Sequence, residues 1–223
     1  HYPLRRQRQM CIRDRHHSVQ ASLPYNLACA ACHLCVMGTA CDIQGQGNHP
    51  VSFNLAKALK DLGITDDAVK ACKMPLYGQC TDLVDAGLDL FGRPQQMTQQ
   101  TFTAWCAMKT TAKSDGMELN IVSAHRSIEY QCELIHRKLE EGRLIDEILL
   151  VNAIPGYSEH HTGRALDLHA GDGKPLETAF ENHPAFSWLC DHAAEFNFHL
   201  SYPRGNPAGI NYEPWHWCFS TGN

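Results

Sequence analysis

The chain has 223 residues and a formal net charge of -5, which allows one well-buried core with an appendage and leaves no broad positive field for steering onto nucleic acid. Its 11 cysteines are scattered through helix-like and strand-like runs, so they do not frame a small disulfide scaffold. Of its 14 histidines, only those placed by a pattern carry information.

Residues 1 to about 20 are Arg-rich without a hydrophobic period and are expected to form a disordered basic tail. The run RQMCIRDR within them resembles translated adapter sequence, and the tail is assigned no function. Leu27 to Cys41 is an apolar stretch after a basic one, with Gly38-Thr39-Ala40 as a small-residue cleavage site. It resembles a weak signal peptide and is too short for a stable membrane span. The same stretch carries Cys29, Cys32, Cys35 and Cys41. Thiolates three apart can converge on zinc or an iron–sulfur cluster, and the plainer alternative is a merely hydrophobic segment. Residues 1–51 are therefore set apart from a single folded domain over 52–223.

From Ser52 the pattern becomes that of a folded domain. Phe53, Ala56, Leu59 and Leu62 recur at helical spacing with Gly63 as a stop. A loop with Pro75 and Gly78 leads through LVDAGLDLFGRP to Thr98, after which the apolar period predicts a helix over about 99–114. ELNIVS (118–123) alternates like a half-buried strand. Helices are predicted over about 128–141, 144–151 and 184–195, and strands at ALDLHA, FHLSY and PWHWCF. Strands joined by long excursions favour an α+β fold, a small central antiparallel sheet flanked by helices, over a doubly wound parallel sheet.

The chemistry concentrates in two segments. Ser158 to Asp167 (SEHHTGRALD) places an imidazole on a Gly-containing turn and a carboxylate seven residues later on the following strand. Glu213-Pro214-Trp215-His216 offers a second imidazole and a second carboxylate. Two histidines and one aspartate make a three-ligand zinc site with a fourth position open, as catalysis requires. Glu213 then suits the general base that deprotonates the attacking water. The bland alternative is a pair of ordinary buried histidines beside surface acids.

The two segments together resemble the VanY-type D-alanyl-D-alanine carboxypeptidases, relatives of the D-Ala-D-Ala dipeptidases and of the hedgehog domain, through S-x-H-x-x-G-x-A-x-D followed by E-P-W-H. The resemblance spans roughly residues 54–220 and implies one zinc per catalytic domain, held by His160, Asp167 and His216, with Glu213 as base. The offsets from Ser158 and Gly163 select His160 over the adjacent His161. A second match, Ser123-Ala124-His125-Arg126-Ser127 with Tyr130 and Gln131, implies that Arg126 stabilises the developing oxyanion and that Arg126, Gln131 and Ser158 line the substrate pocket. Ala124 and His125 replace the common Gly-Tyr, and Cys218 stands where a polar residue is usual. Trp215 and Trp217, flanking His216 on a strand, are expected to point away from it into packing.

The expected activity is removal of a terminal D-alanine from a peptidoglycan stem peptide or precursor, without nucleic-acid partners. Two other readings compete: a zinc-stabilised, non-catalytic binding module of the hedgehog type, and a phage-type endopeptidase. The inferred substrate lies in the cell envelope or periplasm, whereas the many thiols suit a reducing cytoplasm.

Overall fold

A computed structural model describes residues 53–220. The basic tail, the signal-like stretch and its Cys29, Cys32, Cys35 and Cys41 lie outside the described residues. The described part begins with two short helices, α1 (Leu55–Asp61) and α2 (Asp66–Ala71), followed by a hairpin of β1 (Val84–Leu88) and β2 (Pro94–Met97). Then come α3 (Gln99–Ser114), β3 (Asn120–Ser123), α4 (Ile128–Glu140) and α5 (Ile145–Leu149). A 3-10 turn (Glu159–Thr162) precedes β4 (Ala165–His169), and α6 (Pro184–His192) precedes the final strands β5 (Phe198–Leu200) and β6 (His216–Phe219).

The helices start where side-chain oxygens can satisfy their free N–H groups. Asn54, Thr65, Thr98 and Ser127 cap α1, α2, α3 and α4 in this way. The Ser127 cap matters most for the site, because it begins α4 immediately after Arg126.

Strands β3, β4, β6 and β5 form one antiparallel sheet in that order. Side chains alternate between its faces. Ile121, Leu166, Leu168, Phe198, Trp217 and Phe219 face a core closed by Trp105 and Met108 of α3 and by Trp188 and Leu189 of α6. Residues in between, including Asp167, His216 and Cys218, belong to the opposite face. A second apolar cluster of Leu59, Ile135, Ile148 and Ile154 ties α1, α4 and α5 together.

Gly163 closes the turn into β4. It has φ +66, and a Cβ there would lie 2.7 Å from Leu83 Cδ2 and 3.2 Å from the Thr98 backbone nitrogen. Only glycine meets both the conformation and the space.

The structure departs from the sequence reading in the run to Thr98, which is the β1–β2 hairpin rather than a loop. Leu88 is exposed, so no apolar alternation announces the hairpin; it is organised by Asp89. That carboxylate accepts from the backbone nitrogens of Phe91 (2.8 Å) and Arg93 (2.9 Å), from Arg93 Nε (2.7 Å) and from Gln95 Nε2 (3.1 Å). Arg93 in turn donates to the Val122 carbonyl, and Gln95 accepts from the Ala124 nitrogen, which joins the hairpin to the end of β3. Helix α2 has no buried residue, so no apolar period marks it in the sequence. The predicted helix over about 184–195 ends at His192 and continues as a 3-10 turn to Phe196.

Burial alone would raise the Asp89 pKa, but the hydrogen bonds from Arg93 and Phe91 outweigh it and hold it below the usual 3.8. Asp89→Ala is expected to lower unfolding stability by about 1–3 kcal/mol, the cost of leaving partly buried donors without their acceptor. The wild-type contribution is present above the unfolded pKa and fades as pH falls through the depressed folded value. Urea unfolding of both proteins at neutral pH and near pH 3 measures the difference, which should shrink at the lower pH.

Candidate active site

Strand register brings the two sequence segments together. Asp167 on β4 stands directly opposite His216 on β6, and Asp167 Oδ1 lies 3.1 Å from His216 Nδ1. His160 reaches the same point from the 3-10 turn, with Nε2 3.3 Å from Asp167 Oδ2. All three residues are buried, and their ligand atoms lie within 4.8 Å of one another.

The hydrogen-bond partners of each imidazole indicate which nitrogen is available. His160 Nδ1 sits 2.6 Å from the Ala124 carbonyl oxygen and must donate to it. The lone pair of His160 therefore resides on Nε2, which is buried and has no hydrogen-bond partner. His216 Nε2 meets Glu159 Oε2 at 2.9 Å, and donation there leaves Nδ1 facing Asp167. Two imidazole nitrogens and a carboxylate oxygen converging in a buried pocket are the donor set that a divalent transition metal takes, and a carboxylate behind one imidazole is the usual support for such a ligand.

His161 is turned elsewhere. Its Nδ1 lies 2.7 Å from the Arg126 carbonyl oxygen, and its Nε2 accepts from the Gly156 nitrogen at 3.1 Å. Both ring nitrogens are spent on backbone, so His161 anchors the segment that carries Arg126.

All seven residues singled out from sequence (Arg126, Gln131, Ser158, His160, Asp167, Glu213 and His216) line one cavity of about 540 Å³. Arg126 donates from Nη1 to Gln131 Oε1 (3.0 Å) and from Nη2 to Asp167 Oδ2 (3.5 Å). Gln131 also donates to the Ala153 carbonyl at 2.8 Å, so its amide holds the guanidinium in place. Ser158 Oγ accepts from the His160 nitrogen at 3.4 Å. Glu213 is buried, and its Oε2 lies 3.8 Å from His216 Nδ1.

Trp217 packs into the core and donates to the Pro214 carbonyl, as strand alternation predicts. Trp215 lies outside β6, in the turn before it, and contributes to the cavity wall while packing partly on the core. The expectation that both rings point away from the site therefore holds for Trp217 alone.

The electrostatics separate the acids. Burial would raise Asp167, but the charges and hydrogen bonds of His160 and His216 hold it well below the usual carboxylate range. Burial and the Arg126 charge lower His160 to about 4. Burial also disfavours a charged His216, yet its contacts with Asp167 and Glu159 outweigh this and push it up to about 10. Glu213 goes the other way: burial pushes it up to about 7, where a carboxyl group can both accept and return a proton near neutral pH.

Sequence reasoning missed Glu159 and Tyr202. Glu159 occupies a variable position of the motif, and nothing local shows that it faces His216. Tyr202, whose ring centroid lies 4.6 Å from that of His216, sits in a loop between β5 and β6.

The VanY family model, described as D-alanyl-D-alanine carboxypeptidase, matches residues 94–222, more than half of the chain. YodJ of Bacillus subtilis (strain 168), named as a carboxypeptidase, is 35% identical over 118 residues, which are 49% of this chain and 42% of that protein. This chain spans 25% to 60% of the other curated relatives. Among solved structures, the LD-carboxypeptidase LdcB superposes with a TM-score of 0.57 at 28% identity, covering 65% of this chain and 71% of LdcB. A variant of the vancomycin-resistance D,D-pentapeptidase VanY in complex with Zn(II) shares the fold, with a TM-score of 0.51 at 24% identity over 66% of this chain and 82% of that one. The α+β architecture with its small antiparallel sheet is thus the fold of these peptidases, and the chain belongs to the VanY family of D-alanyl-D-alanine carboxypeptidases.

Proposed function

We propose that residues 52–223 form a zinc carboxypeptidase that hydrolyses the terminal D-alanine bond of peptidoglycan stem peptides or their precursors, in the cell envelope. The observation that carries this reading is Glu213, a buried carboxylate whose Oε2 lies 3.8 Å from His216 Nδ1, in the wall of the cavity that contains a triad fit for a metal. A binding module has no use for such a group, because burying an acid costs stability. His160, Asp167 and His216 would hold the ion, and the Zn(II) complex of a VanY protein of the same fold supports zinc. When bound, zinc supplies Lewis-acid polarisation of the scissile carbonyl and acidifies water.

The chain's own residues do the rest. Glu213 takes a proton from the attacking water and returns one to the amine nitrogen as the C–N bond breaks. The products are a shortened peptide carboxylate and free D-alanine. Arg126, fixed by Gln131, donates to the oxygen that gains charge as the carbonyl carbon becomes tetrahedral. Ser158 and Arg126 at the cavity wall provide donors for the substrate's free carboxylate.

Peptides ending in D-Ala-D-Ala, with the terminus free or amidated, distinguish this reading from the endopeptidase one. Mass spectrometry should detect D-alanine release from the free peptide and none from the amidated form. Equal turnover of both would mean that the terminal carboxylate is not recognised.

A further inference from the structure

Behind His216, on the side away from Asp167, a second set of ligand-type side chains converges. His199 on β5 stands directly opposite Cys218 on β6, so their side chains share one sheet face. Cys218 is two residues beyond His216, on the same face of the same strand. Glu159 comes from the 3-10 turn to meet them, and the ligand atoms of Glu159, His199 and Cys218 lie within 4.8 Å of one another. The buried Ser201 hydroxyl lies beside both Glu159 and Cys218. His199 is exposed and Glu159 partly so, which gives an ion a way in.

We propose that Glu159, His199 and Cys218 form a second divalent-cation site, softer than the first because it contains a thiolate. Thiolate, imidazole and carboxylate together suit zinc or cobalt, with bond lengths of about 2.0–2.3 Å, so an ion would draw the three atoms closer than they now lie. The ion binds as Cys218 loses its thiol proton to solvent, as a coordinating thiol does. Glu159 Oε2 already meets His216 Nε2, so the same carboxylate faces both sites. The shared carboxylate couples the sites, because an ion on Glu159 weakens the contact that orients His216. The site does not depend on which bond the first site cleaves, although Glu159 also supports His216.

Cobalt(II) titration of the full chain tests this, with Cys29, Cys32, Cys35 and Cys41 replaced by serine so that their thiolates cannot report. Two ions per chain are expected, the weaker one bringing thiolate-to-cobalt charge-transfer absorption in the near ultraviolet. Cys218→Ala should abolish that absorption and one equivalent of metal. His199→Ala, at an exposed position where folding is not at risk, should weaken the second ion at least as much as the roughly 10–100-fold that loss of a supporting partner costs a metal site. His160→Ala should remove the first ion and leave the charge-transfer band. Binding of one ion without the band, a band that survives Cys218→Ala, or a second affinity unmoved by His199→Ala would each overturn the proposal.

Discussion

His160→Ala and His216→Ala are each expected to strip the chain of its tightly held zinc, leaving almost none after dialysis against metal-free buffer. Each substitution removes one of three protein ligands, and two ligands do not retain a zinc ion against exchange. The two variants should differ in stability. Removing His160 leaves Asp167 with His216 and Arg126 beside it. Removing His216 takes away the imidazole that stands between Asp167 and Glu159, so two buried or half-buried carboxylates lose their shared partner. Breaking a buried pair in this way costs about 3–5 kcal/mol, and His216→Ala should be the less stable variant in urea. Metal content is measured by elemental analysis of the full chain carrying serine at Cys29, Cys32, Cys35 and Cys41 and alanine at Cys218, which removes thiolates that would mask the loss. Full retention of zinc by both variants would show that these histidines are not the ligands.

How much of this was legible in the sequence depends on whether a feature is local. The pairing of His160 with Asp167 follows from seven residues that contain a tight turn and a strand, and the inward face of Trp217 follows from alternation. The direct opposition of Asp167 and His216 is a register across β4 and β6, set by packing of Leu166, Trp217 and their neighbours into the core, and no local spacing encodes it. Asp89 shows the same limit. It reads as one acid in a Gly-rich run, yet its partners include Gln95, which reaches on to the Ala124 nitrogen, and Ala124 supplies the carbonyl that fixes the tautomer of His160. The hairpin thus supports a ligand far along the chain through hydrogen bonds that have no hydrophobic period. The family resemblance implies Gln131 at the substrate pocket; Gln131 lines the cavity, and both ends of its amide are engaged within the protein. Glu159 and His199 were silent for a related reason, since exposed or half-exposed polar residues carry no pattern until the fold places them beside His216 and Cys218.

Glu213→Gln is expected to slow D-alanine release by about 10²–10⁴-fold, the typical contribution of a positioned general base, while zinc, fold and substrate binding are kept. The environment of Glu213 makes this substitution informative. Its carboxylate lies 3.8 Å from His216 Nδ1, an ion-pair distance without a hydrogen bond, so an amide of the same size breaks no hydrogen bond there. The backbone bonds that place it, from its own nitrogen to the Tyr202 carbonyl and from the His216 nitrogen to its carbonyl, do not involve the side chain. The amide also brings no charge into a buried position, so stability should be unchanged or slightly higher. Loss of rate then reports the missing proton acceptor alone. Quantifying D-alanine at saturating substrate, with zinc content and unfolding measured on the same samples, separates the possibilities. A lower rate with lost zinc would make Glu213 part of the metal site, and equal rates in the two proteins would remove it from the reaction.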